Sequence, residues 1–218
     1  MAVPAKSLSR DKILDHAEAL FARRGFAGIG LAEVAESVGL GKSSLFHHFP
    51  SKAQLYAAVI ARILARIETV MMRALAAGGT PTERVERWID VLVDTLGAHP
   101  TYARLLLRSL FEDDELGGEL PEELEANEIL RRIVGAGGLL LKEGMASGEF
   151  REASVPHTLQ TLIGAIVFHF ASGEFGDEMF GRSLFAATEV RRRKIELKSM
   201  VLRGLAAEPG TQKLRRIR

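Results

Sequence analysis

Apolar residues recur at intervals of three and four along nearly the whole 218-residue chain, and no run alternates convincingly at period two. A half-buried strand needs that alternation, so the pattern restricts the chain to an all-α fold. Ile13, Ala17, Leu20 and Phe21 make the first apolar face. Ser9 stands at its N-cap, Lys12 where a capping box would hold Glu, and Gly25 at its end. A short helix follows over 31–38 with Val34, Ala35 and Val38 inward. Gly39 makes the turn, and a third helix runs from Lys42 to the stop at Phe49-Pro50. Ser51 then caps a long helix that begins at Lys52 and carries Leu55, Val59, Ile63 and Ile67.

Gly78-Gly79-Thr80-Pro81 breaks the pattern. A new amphipathic helix starts at Pro81 or Thr82, passes Trp88, Leu92 and Leu96, and closes at His99-Pro100. Helix is expected again over 102–111, then a polar loop over 112–121 with a solvated acidic run at 112–115. The next helix, 122–146, contains Gly135, Gly137 and Gly138. Each mid-helix glycine costs about 1 kcal/mol relative to alanine, which predicts a kink or a close helix contact there. Residues 147–150 form a turn, 155–172 are apolar nearly all round, and one final helix is expected over 177–205. No repeat or low-complexity segment interrupts this order.

Composition narrows the chemistry. The chain has no cysteine, which removes disulfides, thiolate metal sites and cysteine nucleophiles and fits a reducing cytoplasm. Residues 1–9 hold no long apolar run, and 162–171 is too short to span a bilayer, so no membrane partner is expected. The net charge of +1 hides a segregation. Residues 1–66 hold nine Lys/Arg against five Asp/Glu, residues 67–190 ten against twenty-one, and residues 191–218 ten against two. A basic head beside an acidic body directs only the head toward a polyanion.

Residues 25–56 carry the most information. Two short helices separated by a glycine turn make a helix-turn-helix, whose second helix enters the major groove of duplex DNA. Ala35 is small where the two helices cross, and Leu40 and Leu45 pin the second helix to the core. Lys42, Ser43, Ser44, Phe46, His47 and His48 are left for the outward face. A polar helix with a cation at its start suits phosphate and base-edge contacts.

Leu45-Phe46-His47-His48-Phe49-Pro50-Ser51-Lys52, with Gly25-Phe26, Val34-Ala35 and Gly39, resembles the TetR family of bacterial regulators over about residues 8–66. Beyond that stretch only the helical pattern and the turn within 143–151 look like the family's second half. The resemblance implies a three-helix reader over 1–53, a linking helix at about 52–76, a ligand-binding and dimerisation domain over 54–208, and a basic tail over 209–218. It implies a homodimer on a palindromic operator, contacted by Gly30, Leu31, Lys42, Ser43, Ser44, Phe46, His47 and Lys52. Two departures stand out: Gly30 and Gly41 replace the usual Ser or Thr caps, and Phe46 lacks the hydroxyl of the usual Tyr. Glycine caps a helix almost as well.

A small-molecule effector is expected between the C-terminal helices, at Trp88, Tyr102, Phe111, Phe168 and His169. The segments that carry these residues are rich in large apolar side chains, while Tyr102 and His169 supply polar groups. Such a site calls for a lipophilic molecule with one polar end. The same aromatic residues also suit a filled core, and a DNA-binding regulator that senses nothing is the alternative. A helical enzyme ranks last. Gly41-Lys42-Ser43 is no phosphate loop, because Glu36 stands where its first glycine belongs. Adjacent His47 and His48 cannot form an i, i+4 metal pair, so neither cofactor nor metal is expected.

Overall fold

The computed structural model describes residues 10–111 and 119–207, which form ten helices and no strand. Ser9, the acidic run 112–115 and the tail 209–218 lie outside the described residues. Three short helices come first: α1 (Arg10–Arg24), α2 (Leu31–Ser37) and α3 (Lys42–His48). Then follow α4 (Lys52–Ala76), α5 (Pro81–Ala98), α6 (Pro100–Ser109), α7 (Pro121–Ser147), α8 (Val155–Ala171), α9 (Gly173–Phe180) and α10 (Ala187–Leu205).

Local chemistry sets most of these boundaries. Ser51 accepts from the Gln54 N–H at 3.0 Å and starts α4. At α5, Thr80 and Glu83 cap each other's backbone N–H groups reciprocally, with Pro81 at the first helical position. Pro100 starts α6 two residues before the expected Tyr102, because proline at the first turn removes only an N–H that has no helical partner. Gly148, at φ 80°, ends α7 in the left-handed conformation.

The expected final helix over 177–205 is two helices. Gly181, at φ 66°, ends α9, and Leu184 turns inward to complete burial against Gly176. The Asp177 carboxylate accepts from the Leu184 N–H at 2.8 Å and fixes that corner. Arg182 then pairs at 3.1 Å with Glu189, which is buried in the first turn of α10.

One apolar core runs through the molecule. Tyr56 packs edge-on against Phe21 and Phe26 where α1 meets α4, with ring centroids 5.1 and 5.3 Å away. Burying an aromatic or aliphatic side chain of this kind stabilises the fold by about 1.5–3 kcal/mol. Farther along, α4 packs on α7 and α5, and α8 on α6 and α7. The close contact expected near the α7 glycines is at Gly137, where an added Cβ would stand 3.0 Å from Leu159 and 3.2 Å from Trp88. Gly135 has no such neighbour.

Candidate functional site

Two sites emerge, one at each end of a shared scaffold. At the first, α2 and α3 pack through Val34, Ala35 and Leu45, all buried. Gly39, at φ 69°, makes the corner, and the Leu40 N–H reaches the Ala35 carbonyl at 2.8 Å. The hydrophobic anchor is Leu45, so the opposite face of α3 is open. Lys42, Ser43, Ser44, His47 and His48 are exposed, and Phe46 is 38% exposed with the Lys42 ammonium 5.6 Å from its ring centre. Gly30, the N-cap of α2, is exposed, while Leu31 is half-buried against the core.

Lys52 differs from the expectation. Its ammonium donates to the Phe26 carbonyl at 3.0 Å and lies 4.0 Å above the centre of the Phe26 ring. That side chain ties α4 to the loop after α1, so its role in the free protein is to hold the reader together. Another tie was missed in the sequence: Arg24 bonds Glu33 and, at 2.6 Å, the Gly28 carbonyl, bracing α1 against α2.

The second site is a cavity of about 650 Å³ between α4, α5, α6, α7 and α8. Its walls are mainly aliphatic, with Leu64, Ile67 and Met71 from α4, Leu92 and Leu96 from α5, and Ile133 from α7. Trp88 and Phe168 are among the residues that line it. Tyr102, Phe111 and His169 do not. Tyr102 is fully buried beside α4, accepting from Arg66 at 2.6 Å and stacked on His99 at 4.4 Å. Phe111 lies past the end of α6, 79% exposed. His169 follows Val167 by two positions, roughly 200° round the helix, and so faces away from the cavity. It meets Phe170 and Phe180 edge-on instead.

The polar residues that do line the cavity are Ser109, Glu123, Asn127 and Gln160. Sequence reasoning missed all four. Glu123 caps α7, accepting from the Leu120 N–H at 3.2 Å, and only the first-turn position after Pro121 signalled that role.

A closely packed helix pair with an exposed second helix, joined to a helical body that encloses a large apolar cavity, defines a helix-turn-helix regulator with a binding domain. Residues 13–59 match the family model of bacterial regulatory proteins, tetR family, and residues 81–201 match that of the tetracyclin repressor-like C-terminal domain. The chain belongs to the TetR family and is a DNA-binding transcriptional regulator. Among similar proteins is the HTH-type transcriptional repressor SCO4008 of Streptomyces coelicolor, 30% identical over 70% of this chain and 73% of its own.

Solved structures share the fold. The ketosteroid transcriptional regulator KstR2 of Mycobacterium tuberculosis superposes with a TM-score of 0.73 at 18% identity, over 95% of this chain and 98% of its own. FadR of Bacillus subtilis, in complex with stearoyl-CoA, gives 0.72 at 17% identity, over 90% and 99%. Among the described residues no helix is long and apolar enough to cross a membrane.

Proposed function

We propose that the protein is a homodimeric repressor that leaves a palindromic operator when a small, mainly apolar molecule fills the cavity. The observation that carries this reading is a division of labour along α6. Leu106, Leu107, Ser109 and Leu110 line the cavity, while Arg108 between them donates to the Phe21 and Ala22 carbonyls at 3.1 and 3.3 Å. A molecule that moves α6 therefore moves the end of α1, and with it the reader. To shift the equilibrium, it must bind the released state more tightly than the DNA-bound one.

The reader in this scheme is residues 1–53, with Gly30, Leu31, Lys42, Ser43, Ser44, Phe46 and His47 meeting DNA. The body over 54–208 senses and dimerises. Phe175 on α9 and Ile195 and Met200 on α10 are large apolar residues left exposed, which a second copy would cover. Two-fold pairing sets two α3 helices one DNA turn apart, about 34 Å. The protein works on cytoplasmic DNA. The apolar walls suit a ligand tail of the kind bound by the solved relative with stearoyl-CoA. Selection of bound sequences from random duplexes, followed by footprinting, tests the reading. An inverted repeat is expected, and a single unrepeated half-site would count against the dimer.

A further inference from the structure

Glu123 is only 7% exposed, lines the cavity, and has one carboxylate oxygen with no partner among the described residues. Its Oε2 accepts from the Leu120 N–H, and that is its only hydrogen bond among the described residues; it makes no ion pair there. The neighbouring Glu122 is served differently, with Gln54 donating to its Oε1 at 3.2 Å and Arg10 4.0 Å away. No Lys, Arg or His belongs to the described cavity lining, and the sequence of 112–118 contains none either. A carboxylate enclosed by aliphatic walls is costly unless something pairs with it.

Trp88 adds a second open valence. Its indole N–H is buried with no acceptor among the described residues, and the residue lines the same cavity.

Building on the sensing role proposed above, we infer that the effector is a lipophilic molecule carrying one positively charged N–H group, which pairs with Glu123. The aliphatic walls take its apolar body. Trp88 touches Gly137, fourteen residues and roughly 21 Å along α7 from Glu123, so it stands at the far end of the cavity, where its indole N–H selects an acceptor atom on the apolar body if the molecule has one. An anionic headgroup would meet the one carboxylate in the described lining and, among the described residues there, no cation to balance it.

Three probes with one tail separate the possibilities: dodecylammonium, dodecanol and dodecanoate, each below its micellar concentration. Trp88 is the sole tryptophan, so its fluorescence reports cavity occupancy directly. Dodecylammonium should bind roughly tenfold more tightly than dodecanol, the worth of a charged hydrogen bond, with dodecanoate weakest. Glu123→Gln keeps an oxygen for the Leu120 N–H and should erase the preference for the cation while leaving dodecanol binding unchanged. Thermal melts confirm that the variant is folded. If dodecanoate binds as tightly as dodecylammonium, or the preference survives in Glu123→Gln, the inference is overturned and apolar sensing stands. If none of the three perturbs Trp88, both the inference and the sensing role fall, while operator selection still reports on DNA binding.

Discussion

Arg108 donates from its guanidinium to the Phe21 carbonyl at 3.1 Å, so a helix that walls the cavity holds the last turn of the first reader helix. The same Nη1 reaches the Ala22 carbonyl at 3.3 Å, and Thr101, two turns back on the same face of α6, donates to Glu18 of α1 at 2.7 Å. The Phe21 carbonyl also accepts from the Gly25 N–H at 2.8 Å, and the guanidinium complements the helix dipole at this end. Arg62 on α4 grips α1 independently, at Asp15 and Glu18, with distances of 2.7 and 2.8 Å. Both grips bear on Glu18, and in the release mechanism proposed above it is the α6 grip that carries movement of the cavity wall to α1.

Arg108→Met should therefore separate sensing from release. Ligand affinity, read from Trp88, and operator affinity without ligand should each stay within about threefold of the parent. The factor by which ligand weakens operator binding should fall by about fivefold or more, a coupling on the order of 1 kcal/mol. Titrating operator with and without ligand measures it. An unchanged factor would assign the coupling to α4 instead.

The two lysines of the reader should behave differently. Lys42 is exposed at the start of α3, so Lys42→Ala should lower the slope of log affinity against log salt by about 0.9 and leave stability within about 0.5 kcal/mol. Lys52 is held by the Phe26 carbonyl and ring, so Lys52→Met should instead destabilise the fold by about 1–2 kcal/mol with little change in slope. Urea unfolding and salt-dependent binding read the two effects separately. A loss of slope in Lys52→Met would return that residue to the DNA interface.

How far these features were legible in the sequence follows from what periodicity encodes. Glycine, proline and cap residues bound α1 to α8 to within two residues, because each acts on the backbone at its own position. The break between α9 and α10 escaped, since the apolar spacing continues through Leu184 and no proline marks the turn. Side-chain partners distant in sequence were not legible. Tyr102 and His169 promised polar contacts for a ligand, yet Tyr102 is taken by Arg66 and His169 faces Phe180. Nothing in the sequence singles out Glu123, and only the surrounding helices show that one of its oxygens has no partner among the described residues.

Dimerisation should depend on the apolar residues left outside on the C-terminal helices. Ile195 is 60% exposed on α10, with charged neighbours Lys194 and Glu196. In a single chain Ile195→Asp should change stability by no more than about 0.5 kcal/mol. In a two-fold interface it places two like charges in apolar surroundings and should weaken the dimer by about 2 kcal/mol or more. Sedimentation at micromolar protein tests this, and operator binding should weaken in parallel through lost bivalency. A variant that sediments as the parent does would move the interface elsewhere.

The last prediction concerns acid. Burial against Phe170 and Phe180, and then the nearby Arg193 charge, hold His169 down from 6.5 to about 4. Its Nε2 has no partner among the described residues, and Arg193 donates to the Ala165 carbonyl at 2.6 Å with no acidic side chain opposite it there. Nothing in that corner welcomes a second positive charge. Between pH 6.5 and 4 the unfolded chain takes up a proton at this position and the folded chain does not. Its contribution is therefore intact above pH 6.5 and is lost as pH falls toward 4. The size is about 1–3 kcal/mol, set by the shift and reduced by whatever water reaches the ring. His169→Gln removes the titration while keeping a polar side chain of similar reach. The gap in unfolding free energy between parent and variant should move by that amount from pH 7 to pH 4.5, to the parent's disadvantage. Urea titrations at the two pH values decide it, and parallel pH profiles would mean that His169 protonates freely in the folded protein.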